Sequence, residues 1–163
     1  VLSDDGRYRY ALRRQTGVLG AEGAVLFVML NPSTADATDD DPTIRRCLNY
    51  ARRWGYARLD VANLYALRAT NPAELFAGED PVGPDNDAWL ERLAKPSPSV
   101  VVAWGATPHP EPERARRVLE LLEFYAGTAR CLGQTRDLHP RHPLYVRADA
   151  ARTPFRRLAR SIA

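Results

Sequence analysis

The chain has 163 residues, 45% of them hydrophobic and 26% charged, with a formal net charge of +3. That is about one domain's length, since domains run roughly 100–200 residues, and enough chain to bury a core without staples. Collagen-like and largely disordered chains are excluded, and no apolar run approaches the roughly 18 residues of a membrane-spanning helix.

Residues 7–12, RYRYAL, alternate and read as a strand. Residues 24–30, AVLFVML, form a continuous apolar run that ends at Asn31-Pro32-Ser33, the pattern of a buried strand. A polar, acidic loop follows from 34 to 41. Asp41-Pro42 then reads as an N-cap with proline at the first helical position. Ile44, Cys47, Leu48 and Ala51 recur at helical spacing, and Gly55 stops the helix. Residues 58–65 predict a second buried strand and 85–93 a helix after Gly83-Pro84. Residues 99–104, SVVVAW, predict a third buried strand stopping at Gly105. A helix over 111–125 and a short strand over 129–132 follow. The tail from 148 to 162 reads as amphipathic helix, beginning again near Pro154.

Apolar strands alternating with helices imply a parallel sheet covered on both faces. We therefore expect a single α/β domain over residues 1–163, a three-layer sandwich around a central, mostly parallel four-stranded sheet. Ligands of such sheets bind outside the carboxyl ends of the strands. That rule gathers Asn31-Pro32-Ser33, Asp36, Asn63, Gly105 and the loop Arg141-His142-Pro143 on one rim.

Each rim residue has a bland and a functional reading. Asn31 is a turn former, or an amide held by the neighbouring proline against a ligand. Asn63 lies inside an apolar strand, where it either braces a loop or reads a nucleobase edge with its adjacent donor and acceptor. The acidic run Asp36, Asp39, Asp40, Asp41 is a solvated loop with a helix cap, or a set of metal-binding oxygens, though its spacing is not a calcium loop. His142 could donate to a developing anion or act as general acid or base, with His139 as competitor. Arg45 and Arg46, repeated seven residues on at Arg52 and Arg53, form a phosphate-binding stripe or a solvated helix face.

Cys47 and Cys131 are too few for a disulfide scaffold, a four-thiolate zinc site or an iron–sulfur cluster, and read as thiols in a reducing cytoplasm. Lys95 is the single lysine among 23 basic residues. Arginine suits bidentate contact with phosphate or carboxylate. No Gly-rich phosphate loop and no Gly-x-Ser-x-Gly elbow is present, which counts against NTPases, dinucleotide enzymes and ordinary serine hydrolases.

Two resemblances attach to these residues. The runs Met29-Leu30-Asn31-Pro32-Ser33-Thr34-Ala35-Asp36, Asp41-Pro42-Thr43-Ile44-Arg45-Arg46-Cys47, Asn63-Leu64-Tyr65 and Arg141-His142-Pro143-Leu144-Tyr145 resemble the domain-of-unknown-function family numbered 1643. The order of the pieces is also similar, more distantly, to the uracil-DNA glycosylase superfamily: Asn31-Pro32 after the first strand, Asn63 ending the second, Gly105 ending an apolar strand, and a closing His142-Pro143. Ser33 stands where the superfamily's first motif has its second glycine.

The second resemblance implies a uracil-DNA glycosylase-like fold and roles for the residues. Asn31 would position water, Asn63 would read the base, and His142 would hydrogen-bond the departing base anion, with Pro32, Ser33, Gly105 and Pro143 around the substrate. Apart from the resemblance, Arg45, Arg46 and Arg141 would meet nucleic acid, and Asp36 or Asp41 of the acidic loop could serve as a carboxylate base for different chemistry. The expected function is hydrolysis of a nucleobase N-glycosidic bond in DNA or a nucleotide, in the cytoplasm, with no metal or cofactor and no membrane. The alternatives are a non-catalytic nucleic-acid-binding module and a metal-assisted hydrolase or transferase using the acidic loop.

Overall fold

A computed structural model describes residues 1–33, 40–77, 80–108, 110–111 and 113–156. Its described elements are six strands and three α-helices: β1 (Leu12–Gln15), β2 (Glu22–Met29), α1 (Pro42–Arg53), β3 (Tyr56–Asn63), α2 (Asn86–Ala94), β4 (Ser99–Val102), α3 (Arg114–Ala126), β5 (Arg130–Cys131) and β6 (Thr153–Pro154). Short 3-10 turns lie at Pro72–Phe76 and Pro143–Tyr145.

The uniform apolar run of β2 is explained by burial on both faces. Val25, Phe27 and Met29 pack with Cys47, Leu48, Tyr50 and Ala51 of α1. Leu26 and Val28 turn the other way, onto Leu90 and Leu93 of α2 and Val118, Leu119 and Leu122 of α3. Successive side chains of a strand point to opposite faces, so one strand feeds two cores.

The strands order as β1-β3-β2-β4-β5-β6. The β2–β3, β2–β4 and β4–β5 pairs are parallel, while β1–β3 and β5–β6 are antiparallel. The sheet is thus six-stranded and mixed, which corrects the expected four-stranded one. Both additional strands are edges. The N-terminal segment joins the sheet later than expected, at Leu12, because Tyr8 and Tyr10 are buried with Ala66 in a cluster of their own. The expected tail helix is replaced, through residue 156, by turns and the edge strand β6. Pro154 has no N–H to give, and an edge position tolerates that. Phe155 N–H then donates to Ala129 O at 2.9 Å, and its ring meets Trp104 edge-on.

At the start of α1, Asp41 Oδ1 accepts from Ile44 N–H at 2.8 Å, and Pro42 occupies the first turn. Two arginines of α1, Arg46 and Arg53, face the C-terminal segment. Arg46 donates to Val146 O at 3.2 Å, Arg53 to Ala148 O at 3.0 Å, and Tyr50 Oη to Arg147 O. These bonds seat the chain that follows residue 145 against α1. No described helix is long and apolar enough to cross a membrane.

Candidate functional site

The connection from β2 to β3 crosses the α1 face of the sheet, and that from β3 to β4 crosses the α2 face. β2 lies between β3 and β4, so the strand order switches at its carboxyl end. A crevice opens at such a point because the flanking connections leave in opposite directions. Two cavities occupy it. The larger, about 560 Å³, is floored by Met29, Leu30 and Trp104. The smaller, about 150 Å³, is lined by polar side chains including Arg9, Ser33, Asp41 and Asn63. Met29, Asn31 and His142 line both.

Asn31 follows the end of β2. Its Nδ2 donates to Ala69 O at 2.8 Å and Pro32 O at 3.2 Å. Two carbonyls beside the nitrogen fix the amide's orientation, since a flipped amide would set oxygen against oxygen. The segment it binds is itself held by Ala69 N–H on Pro32 O and Leu64 N–H on Met29 O. The capacity left over is Oδ1, an acceptor with no bond among the described residues.

Asn63 ends β3 directly beside Met29 in the parallel register. Strand spacing and rise then put the Asn31 and Asn63 backbones within about 10 Å. Asn63 is only 6% exposed, yet its side chain makes no hydrogen bond among the described residues. Its backbone, by contrast, is held firmly. Asn86, wholly buried, donates from Nδ2 to Asn63 O at 3.1 Å and Leu64 O at 3.0 Å. Arg114, 2% exposed, donates from Nε to Leu64 O at 2.8 Å and pairs with Asp87 at 2.6 Å.

His142 is half-buried and begins the short turn Pro143–Tyr145. Its Nδ1 accepts a long bond, 3.4 Å, from Leu144 N–H. That bond assigns the ring proton to Nε2. Gly105 allows the loop to come close. Its φ is +82°, its N–H donates to Pro140 O, and an added Cβ would stand 3.5 Å from His142 Cβ. Burial lowers the His142 pKa from its ordinary value of 6.5, partly opposed by the Asp41 carboxylate. The neutral ring is therefore the form present at neutral pH.

A pH dependence follows. Above about pH 6.5 both folded and unfolded chains carry neutral His142, and it contributes no pH dependence. Below that, the unfolded chain takes up the proton first, so stability falls as pH falls. NMR titration of the ring is expected to give a midpoint below 6.5, and His142→Gln is expected to flatten the acid limb of urea stability against pH. A midpoint above 6.5 would contradict the burial argument.

The remaining predicted residues divide. Pro32 and Ser33 line the smaller cavity, and Ser33 Oγ reaches Asp41 Oδ2 at 3.3 Å. Gly105 and the exposed Arg141 line the larger one, Arg141 Nε donating to Gln134 O at 3.1 Å. Pro143 is buried and lines neither. Arg45, bound to Asp40 O, and Arg46 also line neither. Asp36 lies outside the described residues. Of the acidic run, Asp41 caps α1 and Asp40 pairs with Arg14 at 2.7 Å. Among the described residues no group of three His, Cys, Asp or Glu side chains could hold a metal ion. Cys47 is wholly buried, and that burial pushes its thiol pKa far up, away from the thiolate a nucleophile needs.

Sequence reasoning missed Arg9, Asn86, Trp104 and Arg114. Arg114 had a signal: it stands four and eight residues before Val118 and Leu122, on the helix's apolar face. Asn86 had none, since an asparagine at a helix start is ordinary.

No curated protein and no solved structure was found to match the chain. A family model described as "Protein of unknown function (DUF1643)" matches residues 9–144, most of the chain, and the protein belongs to that family.

Proposed function

We propose that the protein hydrolyses the N-glycosidic bond of a nucleobase in DNA or a nucleotide, on a uracil-DNA glycosylase-like scaffold working in the cytoplasm. The observation that carries this reading is that Asn31, Asn63 and His142 line one cavity at the strand ends. Asn63 offers a buried amide with no partner among the described residues, and a base edge supplies the complementary donor and acceptor. Asn31 Oδ1 accepts from a water and turns its oxygen toward the sugar's anomeric carbon. As the carbon–nitrogen bond breaks, its electron pair leaves with the base. The water oxygen bonds to the anomeric carbon and loses a proton to solvent. His142 Nε2–H donates a hydrogen bond to the base anion, a fixed dipole aimed where charge develops. Neutral His142 can fill that role, since with Nδ1 accepting from Leu144 its remaining proton sits on Nε2 as a donor.

Mass-spectrometric detection of free base from oligonucleotides carrying uracil, damaged or modified bases tests the reading. Release is expected from the native protein, with about a 100-fold lower rate in Asn31→Ala, the usual cost of one catalytic hydrogen-bonding group. Salt-dependent DNA binding with no release from any substrate would favour the binding-module alternative.

A further inference from the structure

We infer that the base accepted at this site carries a bulky apolar substituent, which occupies the larger cavity; this rests on the glycosylase reading above. The two cavities differ in size and character. The smaller holds Asn63 and is about 150 Å³, a volume known to take one benzene-sized ring. A six-membered base ring reading Asn63 fills it. The larger cavity is about 560 Å³ and is not needed by that ring.

Its floor is not built for a sugar–phosphate backbone. Met29, Leu30 and Trp104 are all buried and apolar there. Of the polar and charged members, Thr107, Arg141 and Tyr145 are exposed at the rim, and Asn31, Thr135 and His142 are half-buried on the walls. A phosphate on that floor would give up hydration against Met29 and Leu30, which carry no donor, whereas an alkyl or aryl group gains about 25 cal/mol for each Å² removed from water. The cavities meet at Met29, Asn31 and His142, the residues that line both. In this proposal a group joined to the ring in the smaller cavity reaches the adjoining larger one beside these three residues. The bond to be cleaved lies beside the same junction, under Asn31 and His142.

The test compares three oligonucleotides, containing deoxyuridine, 5-benzyldeoxyuridine or a 5-(glucosyloxymethyl)deoxyuridine, by rate of free-base release, with calorimetric binding of the three nucleosides in parallel. We expect the benzyl base to be released, and its nucleoside bound, at least 10-fold better than the unsubstituted one. Ala106 and Thr107 are exposed on the larger cavity's rim. Ala106→Trp and, independently, Thr107→Trp narrow it and should lower the benzyl-to-unsubstituted ratio at least 10-fold. Preferential binding of the benzyl nucleoside without release of any base would support the cavity assignment and overturn the glycosylase reading. Equal handling of benzyl and unsubstituted substrates would overturn the substituent and leave the glycosylase standing. Preference for the glucosyl substrate would overturn the apolar class. Neither release nor binding would overturn both.

Discussion

Asn63→Leu is expected to make the protein more stable and to remove the proposed base release. The two side chains are similar in size, so leucine leaves no large void. Asn63 is 6% exposed and its amide finds no partner among the described residues. A buried polar group in that condition costs roughly 1–3 kcal/mol, reduced here because the amide still reaches the cavity. Leucine should therefore raise unfolding stability by about 1 kcal/mol in urea. Base release should fall roughly 1,000-fold, because a base edge would be desolvated against a side chain with nothing to offer. Stability and activity moving in opposite directions is the mark of a residue kept for ligand. A loss of both would place Asn63 among the structural braces instead.

Asn86→Leu should instead destabilise the protein. This asparagine is also buried, but its Nδ2 hydrogens serve two consecutive carbonyls, Asn63 O and Leu64 O. Removing the donor leaves Asn63 O without this bond in a dry setting, while Leu64 O keeps Arg114. The expected loss is about 1–3 kcal/mol, held down because leucine also removes an Asn86 Oδ1 with no partner among the described residues, yet a real share of a typical total of roughly 5–15 kcal/mol. The end of β3 would also lose the anchor that fixes the Asn63 backbone. Denaturant unfolding monitored by tryptophan fluorescence measures the first effect. An unchanged midpoint would show that the strand end is held by other contacts.

The contrast between these asparagines shows what a sequence displays and what it hides. Asn63 was legible as a site candidate because it interrupts an apolar strand at its carboxyl end, and Asn31 and His142 because they follow strands. Asn86 hydrogen-bonds backbone carbonyls, which no sequence pattern marks. The central strands were legible from their apolar runs: 24–30 overlaps β2, and 99–104 covers β4. The α1 boundaries were readable at Asp41 and Gly55, both of which act through local geometry. The edges of the sheet were not. RYRYAL alternates as a strand should, yet Tyr8 and Tyr10 are buried in a separate cluster with Ala66. In the tail, pairing of Thr153 and Pro154 with β5 and the packing of Phe155 on Trp104 prevail over an amphipathic helical pattern through residue 156. Arginines spaced along α1 suggested a phosphate stripe, and spacing alone could not show that Arg46 and Arg53 donate to carbonyls of the chain's own C-terminal segment.

The central claim is that Asn63 and His142 serve one base-binding site, and side-chain NMR tests it most directly. Isotope-labelled protein would be titrated with free uracil, 5-benzyluracil and adenine, following the Asn63 side-chain NH₂ and the His142 ring. Both sets of signals should move together with a single binding constant for a pyrimidine, while the Arg45 side-chain signal stays in place. Asn63 and His142 signals unmoved by every base, up to the limit of solubility, would contradict the account.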